Sequence, residues 1–133
     1  MSEQEQNHRI VLSTFDAYLR GDEATWLETI APGIVATQFP DQLDSQDYRG
    51  LDGVREMMAD WLGMWEEWTI ERLSSSAAGE HVFVNAVQRG RGKGSGVPIE
   101  SRLTFVFTLR DGAIVRWRMF HTEQEARAAV GLA

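Results

Sequence analysis

The sequence has no cysteine, only three prolines and no long apolar run. Without cysteine, disulfide frameworks, cysteine-ligated zinc and thiol nucleophiles are excluded. No stretch reaches the roughly 18 to 20 apolar residues that cross a bilayer, and the polar segment 1–9 lacks a signal-peptide core. We therefore expect a cytoplasmic protein in which residues 1–133 form a single domain, large enough to hold a core without covalent or metal crosslinks.

Basic residues are also in deficit, since 13 lysines and arginines stand against 20 acids and give a net charge of −7. This balance disfavours nucleic acid and anionic membranes as partners. The three histidines, His8, His81 and His121, share no metal-ligand spacing with one another or with acids. The composition thus predicts neither a metal nor a cofactor.

The most regular segment is 99–122, in which apolar and polar residues alternate on both sides of Asp111-Gly112. Alternation with period two is the strand pattern, and an Asp-Gly pair tolerates the positive φ angles of a tight hairpin turn. Because both arms exceed a typical strand, we expect a long hairpin in a curved sheet with one face over a core. Leu103, Phe105 and Phe107 mark that inner face.

Apolar residues recur at helical spacing in four other segments. We predict four helices: the first covers 3–20, the second runs from Asp22 to a stop at Pro32-Gly33, the third runs from a cap at Asp52 through Trp65, and the fourth covers 122–130. Shorter strands are predicted at 34–39, 69–76 and 81–89, and a polar loop at 40–50. The glycine-rich run 90–96 lies between two strands, which favours a flexible hairpin over a phosphate loop. This order predicts an α+β fold with helices segregated onto one face of a mainly antiparallel sheet.

Four short segments resemble the SnoaL-like branch of the nuclear transport factor 2-like superfamily. They are YLRGD at 18–22, YRGLDGVR at 48–55, LRDG at 109–112 and VRWR at 115–118. The resemblance covers nearly the whole chain and implies a cone-shaped α+β barrel, in which a curved sheet wraps a pocket closed by the first and third helices, usually in a dimer. Isomerases, cyclases, epoxide hydrolases, dehydratases and binding modules share this fold, so the fold alone does not select a function.

The catalytic residues of these relatives have no counterparts at the matching positions. Thr14 stands where ketosteroid isomerases carry a tyrosine, and Phe39 precedes Pro40 where they carry an aspartate. Gln88 and Met119 replace the two aspartates of limonene-type epoxide hydrolases, and Met119 also replaces the aspartate of SnoaL cyclases. The resemblance therefore implies the pocket without implying any of these reactions.

The expected pocket is apolar and aromatic with a few amides, which suits a small, partly hydrophobic, uncharged molecule. Its predicted lining is Tyr18, Gln38, Phe39, Trp61, Trp65, Gln88, Ser101, Leu103, Trp117 and Met119. His121 is the one titratable residue that the alternation places there. It is either a general acid or base or a histidine at a strand end bonded to backbone or water.

Arginines alternate with apolar residues on the opposite sheet face, a composition that favours a protein interface over an exposed basic surface. The residues of this face are Phe83, Val87, Arg89, Arg102, Val106, Ile114, Arg116, Arg118 and Phe120. We expect a homodimer through Phe83 and the four arginines.

Three functions remain open at this point. The first is a small-molecule binding protein. The second is a lyase, isomerase or cyclase that acts on a polyketide- or steroid-like carbonyl compound through His121. The third is a dimeric assembly module without a ligand, in which side chains fill the interior.

Overall fold

A computed structural model describes residues 2–39 and 45–132. Its elements are α1 Glu3–Leu19, α2 Glu23–Glu28, β1 Ile30–Gln38, β2 Asp47–Arg49, α3 Gly50–Leu62, β3 Trp65–Ala78, β4 His81–Gly92, β5 Pro98–Arg110, β6 Ala113–Phe120 and α4 Glu123–Ala129. The strands form one sheet in the order β2-β1-β6-β5-β4-β3. Neighbours are antiparallel except β1 and β6, which run parallel. The predicted α+β class is confirmed.

The hairpin of β5 and β6 forms as the sequence predicts. Asp111 and Gly112 both have positive φ, 52° and 77°, and connect the two strands directly. Phe105 pairs with Met119 and Phe107 with Trp117, so their side chains share the inner face. A register shift between Thr108 and Leu109 then places Ile114 opposite Leu109, and Ile114 joins the inner core rather than the outer face.

The third helix differs from its prediction at both ends. It begins at Gly50, with Arg49 as an N-cap that makes no side-chain bond, so Asp52 lies inside the first turn instead of capping it. It ends at Leu62, so Trp65 starts β3 and is not part of the helical stripe. Val54 and Met57, within the helix, are fully buried as the stripe predicts.

The strands extend further than the sequence indicated. The first begins at Ile30 and runs through Pro32-Gly33, which does not terminate α2. A register shift between Ile30 and Val35 frees the proline from the hydrogen-bonded ladder, as strand prolines require. The hairpin of β4 and β5 includes the glycine run, of which Gly90 to Gly92 belong to β4. Of the expected loop 40–50, residues 40–44 lie outside the described part, and 47–49 form β2.

The helices do not share one face of the sheet, contrary to expectation. Residues of α1, α2 and α3 pack into the large inner core, whereas α4 covers the outer face. Thr122 caps α4 by accepting a bond from the Glu125 N–H at 3.1 Å, as predicted. This packing seals Phe83 beneath the helix together with Val106 and Phe120.

Because Phe83 is buried within the chain, its predicted place in a dimer contact is wrong for this packing. Arg89, Arg102, Arg116 and Arg118 remain at outward positions of the strands, and a homodimer through them stays a prediction. No helix between residues 2–39 or 45–132 combines the length and apolarity needed to span a bilayer.

Candidate functional site

A cavity lies between the inner face of the sheet and helices α1 to α3. The space in it that is open to the centre of a water molecule is ≈ 70 Å³. Seven of the predicted lining residues border it, namely Tyr18, Gln38, Trp61, Gln88, Leu103, Trp117 and Met119. The sheet and the helices thus bring together residues from six separate elements.

Four predicted site residues lie outside the lining. His121 is exposed beyond the end of β6, where the alternation that would direct it inward has stopped. Its ring stacks on the buried Phe39 at 4.4 Å between centroids. Trp65 contacts Trp61 at 6.0 Å from the start of β3, and Ser101 pairs with Gln88 across the sheet. None of these four borders the cavity.

Aromatic rings make up much of the wall. Phe105 lies 5.8 Å from Phe15 and 6.0 Å from Trp117, measured between centroids, which joins α1 to β5 and β6. Tyr18 makes edge contacts with Trp26 and Trp68 at 6.1 and 6.2 Å. Lining residues that the sequence did not indicate include Phe15, Trp26, Trp68, Ile70 and Ile114.

Trp68 lines the cavity on the same face of β3 as Ile70, next to an irregularity in the strand. A register shift between Glu66 and Thr69, with a positive φ of 55° at Glu67, interrupts the alternation next to this indole. Opposite the bulge stands Gly90, where a Cβ would come within 3.0 Å of the Glu66 carbonyl oxygen. The glycine in β4 therefore permits the close approach that positions Trp68.

Gln88 is the polar centre of the site and is only 1% exposed. Its Oε1 accepts hydrogen bonds from the Nε1–H groups of Trp61 and Trp68, at 2.6 and 2.8 Å. Its Nε2 is buried and has no partner among the described residues, and the same holds for Nε1 of Trp117. Buried donors are normally paired, so at these two groups the described wall lacks a hydrogen-bond acceptor.

Titratable chemistry is sparse in the lining. Tyr18 is the one titratable residue among the described residues of the wall, and burial raises the pKa of its phenol, so it is neutral at physiological pH. The Thr14 hydroxyl is engaged by the Thr29 hydroxyl at 2.6 Å and the Ile10 carbonyl at 2.8 Å. The described part of the wall therefore offers neutral donors and aromatic surface, without a carboxylate or an imidazole.

A mostly antiparallel sheet that surrounds such a cavity with three helices defines the nuclear transport factor 2-like fold. Within it, the chain belongs to the SnoaL-like domain family, whose model matches residues 11–117. No curated protein matches the sequence.

Solved structures share the fold over nearly the full length. A provisionally assigned SnoaL-like polyketide cyclase from Jannaschia sp. CCS1 is 22% identical, with 100% of this chain and 97% of that chain covered at a TM-score of 0.78. An NTF2-like protein from Burkholderia thailandensis E264 is 25% identical, with coverage of 93% and 96% and a TM-score of 0.77. A provisionally assigned polyketide cyclase from Sinorhizobium meliloti is 28% identical, with coverage of 84% and 94% and a TM-score of 0.66.

Proposed function

We propose that this chain binds a small, uncharged, mainly apolar molecule inside the cone. The observation that carries the proposal is the composition of the wall, which is mainly aromatic and aliphatic and has no charged side chain among the residues that the structure describes. The space open to the centre of a water molecule, ≈ 70 Å³, exceeds the roughly 10 to 15 Å³ that a single water needs, so side chains do not fill the cavity completely. Binding would bury apolar ligand surface against rings already held in place by the fold.

The enzymatic alternative has less support from the wall. A lyase, isomerase or cyclase acting on a polyketide- or steroid-like carbonyl compound needs a proton carrier within hydrogen-bond reach of the substrate. Tyr18 is neutral with a raised pKa, and His121 lies outside the lining. The alternative is favoured only by the provisional cyclase assignments of two solved relatives.

The third hypothesis, a dimeric assembly module without a ligand, requires side chains to fill the interior. Against this, ≈ 70 Å³ of the interior stays open to the centre of a water molecule, and the lining residue Gln88 has a donor without a partner among the described residues. Dimerisation through the arginine-bearing outer face is compatible with ligand binding, because α1 to α3 and the inner sheet face form the cavity.

The neutral fluorescent probe N-phenyl-1-naphthylamine provides a direct test, since its emission rises in apolar surroundings. We expect saturable binding by the wild type and a rise in melting temperature with probe concentration. Ile70→Trp adds an indole at a lining position and should weaken binding at least about tenfold, equivalent to ~1.4 kcal/mol.

Leu73→Trp is the matched control, because Leu73 lies on the same strand but is 43% exposed and outside the lining. It should bind the probe like the wild type. Absence of saturable binding by the wild type would contradict the proposal, as would equal affinities for the wild type and Ile70→Trp.

A further inference from the structure

The unpartnered amide nitrogen inside the cavity points to the chemistry of the ligand. We infer that the bound molecule carries a neutral, carbonyl-type oxygen and that the side-chain NH₂ of Gln88 donates a hydrogen bond to it. The inference rests on the proposed function and adds a requirement that a merely apolar cavity would not impose.

Two indoles fix the direction in which this amide points. An indole Nε1–H is a donor only, so the Gln88 atom that faces both Trp61 and Trp68 must be the acceptor oxygen. A flipped amide would set NH₂ against two N–H groups and lose both bonds. The oxygen is therefore committed to the two tryptophans, and the NH₂ group has a fixed orientation.

That NH₂ group has no acceptor among the described residues, although the side chain is almost completely buried. A buried donor without an acceptor disfavours the folded state. Since Gln88 lines the cavity, a ligand bound in the cavity supplies the acceptor that the described wall lacks. Ligand binding then restores a hydrogen bond that the wall cannot make alone.

The surroundings select a neutral acceptor over an anion. No lysine, arginine or histidine belongs to the described lining, so a carboxylate would lose its hydration without gaining a counter-charge. A ketone or quinone oxygen accepts the bond from Gln88 without that cost.

A matched ligand pair isolates this hydrogen bond. 1-Tetralone and tetralin have the same fused ring skeleton and differ in the carbonyl oxygen, and both can be measured by displacement of N-phenyl-1-naphthylamine. We expect Gln88→Met to weaken binding of 1-tetralone about tenfold while changing that of tetralin less than about twofold. Gln124→Met, at an exposed position on α4, should leave both affinities unchanged.

A measurement on the wild type keeps the test valid if Gln88→Met does not fold. In ¹⁵N-labelled protein, 1-tetralone should shift both side-chain N–H signals of Gln88, and tetralin should shift them much less. 1-Naphthoate, the charged counterpart, should displace the probe less well than 1-tetralone. Tighter binding of 1-naphthoate would overturn the assignment of a neutral acceptor.

The outcomes separate the two proposals. If the probe, tetralin and 1-tetralone all fail to bind, the proposed function is overturned and this inference with it. The inference alone is overturned if they bind but Gln88→Met weakens binding of 1-tetralone and tetralin equally. The same holds if 1-tetralone shifts the side-chain N–H signals of Gln88 no more than tetralin does. Selective loss of 1-tetralone binding, or selective shifts of the Gln88 signals, supports both.

Discussion

Replacing Phe83 with alanine should lower the free energy of unfolding by about 3 to 5 kcal/mol, the usual range for a buried phenylalanine. The ring is completely buried and packs with Val106, Phe120 and Ala126 under the last helix. The Arg127 guanidinium lies 4.6 Å from the ring centroid and adds a cation–π contact. Alanine would leave a cavity between α4 and the sheet that neither element can close by itself.

Urea denaturation followed by fluorescence measures this loss. Val97→Ala is a suitable control, because Val97 is 56% exposed and surface substitutions change stability by only about 0.5 kcal/mol. A loss below about 1 kcal/mol for Phe83→Ala would show that α4 does not cover this face in solution. Phe83 would then be exposed, as the sequence predicted, and could contact a second copy of the chain in a homodimer.

Gly90→Ala is expected to destabilise the protein by about 1 to 3 kcal/mol, the range for forcing extra volume into a packed site. A Cβ at this position would meet the Glu66 carbonyl oxygen at 3.0 Å, Trp68 Cα at 3.2 Å and Trp65 Cε3 at 2.9 Å. Two of these atoms are backbone, so β3 as a whole must move away. The shift would displace Trp68, and we also expect weaker binding of N-phenyl-1-naphthylamine.

Gly33→Ala is the matched control, since a Cβ at Gly33 meets nothing within 4 Å. Comparison of the two urea transitions separates close packing from the general effect of replacing a strand glycine, which by itself favours alanine. Equal stability of the two variants would mean that the bulge in β3 yields without cost, and that Gly90 does not determine where Trp68 lies.

Gln88 shows how one side chain serves both folding and recognition. Its oxygen accepts hydrogen bonds from two indoles and so connects α3 and β3 to β4, while its nitrogen is buried without a partner among the described residues. The sequence identified Gln88 as a site residue through the inner face of β4. It gave no sign of the second indole, because Trp68 precedes the strand that its pattern predicted.

The features that the sequence determined by itself depend on interactions between residues close together in the chain. The positive φ angles at Asp111 and Gly112, the alternation through Phe105 and Phe107, and the Thr122 cap each depend on a few neighbouring residues. Such preferences act within a single turn or strand, so they can be predicted from the sequence without the tertiary structure. The fold class and the inner-face residues on β4, β5 and β6 followed from them.

Tertiary structure decided the details that depend on partner strands. The start of β3 at Trp65, earlier than predicted, placed Trp68 in the cavity wall, and the end of α3 at Leu62 placed Trp65 outside that wall. The end of β6 left His121 exposed, and the docking of α4 buried Phe83. Contacts between residues far apart in the chain determine where a strand ends, where its register shifts and which face a short helix covers. Period-two and helical patterns depend only on neighbouring residues, so they do not predict those contacts.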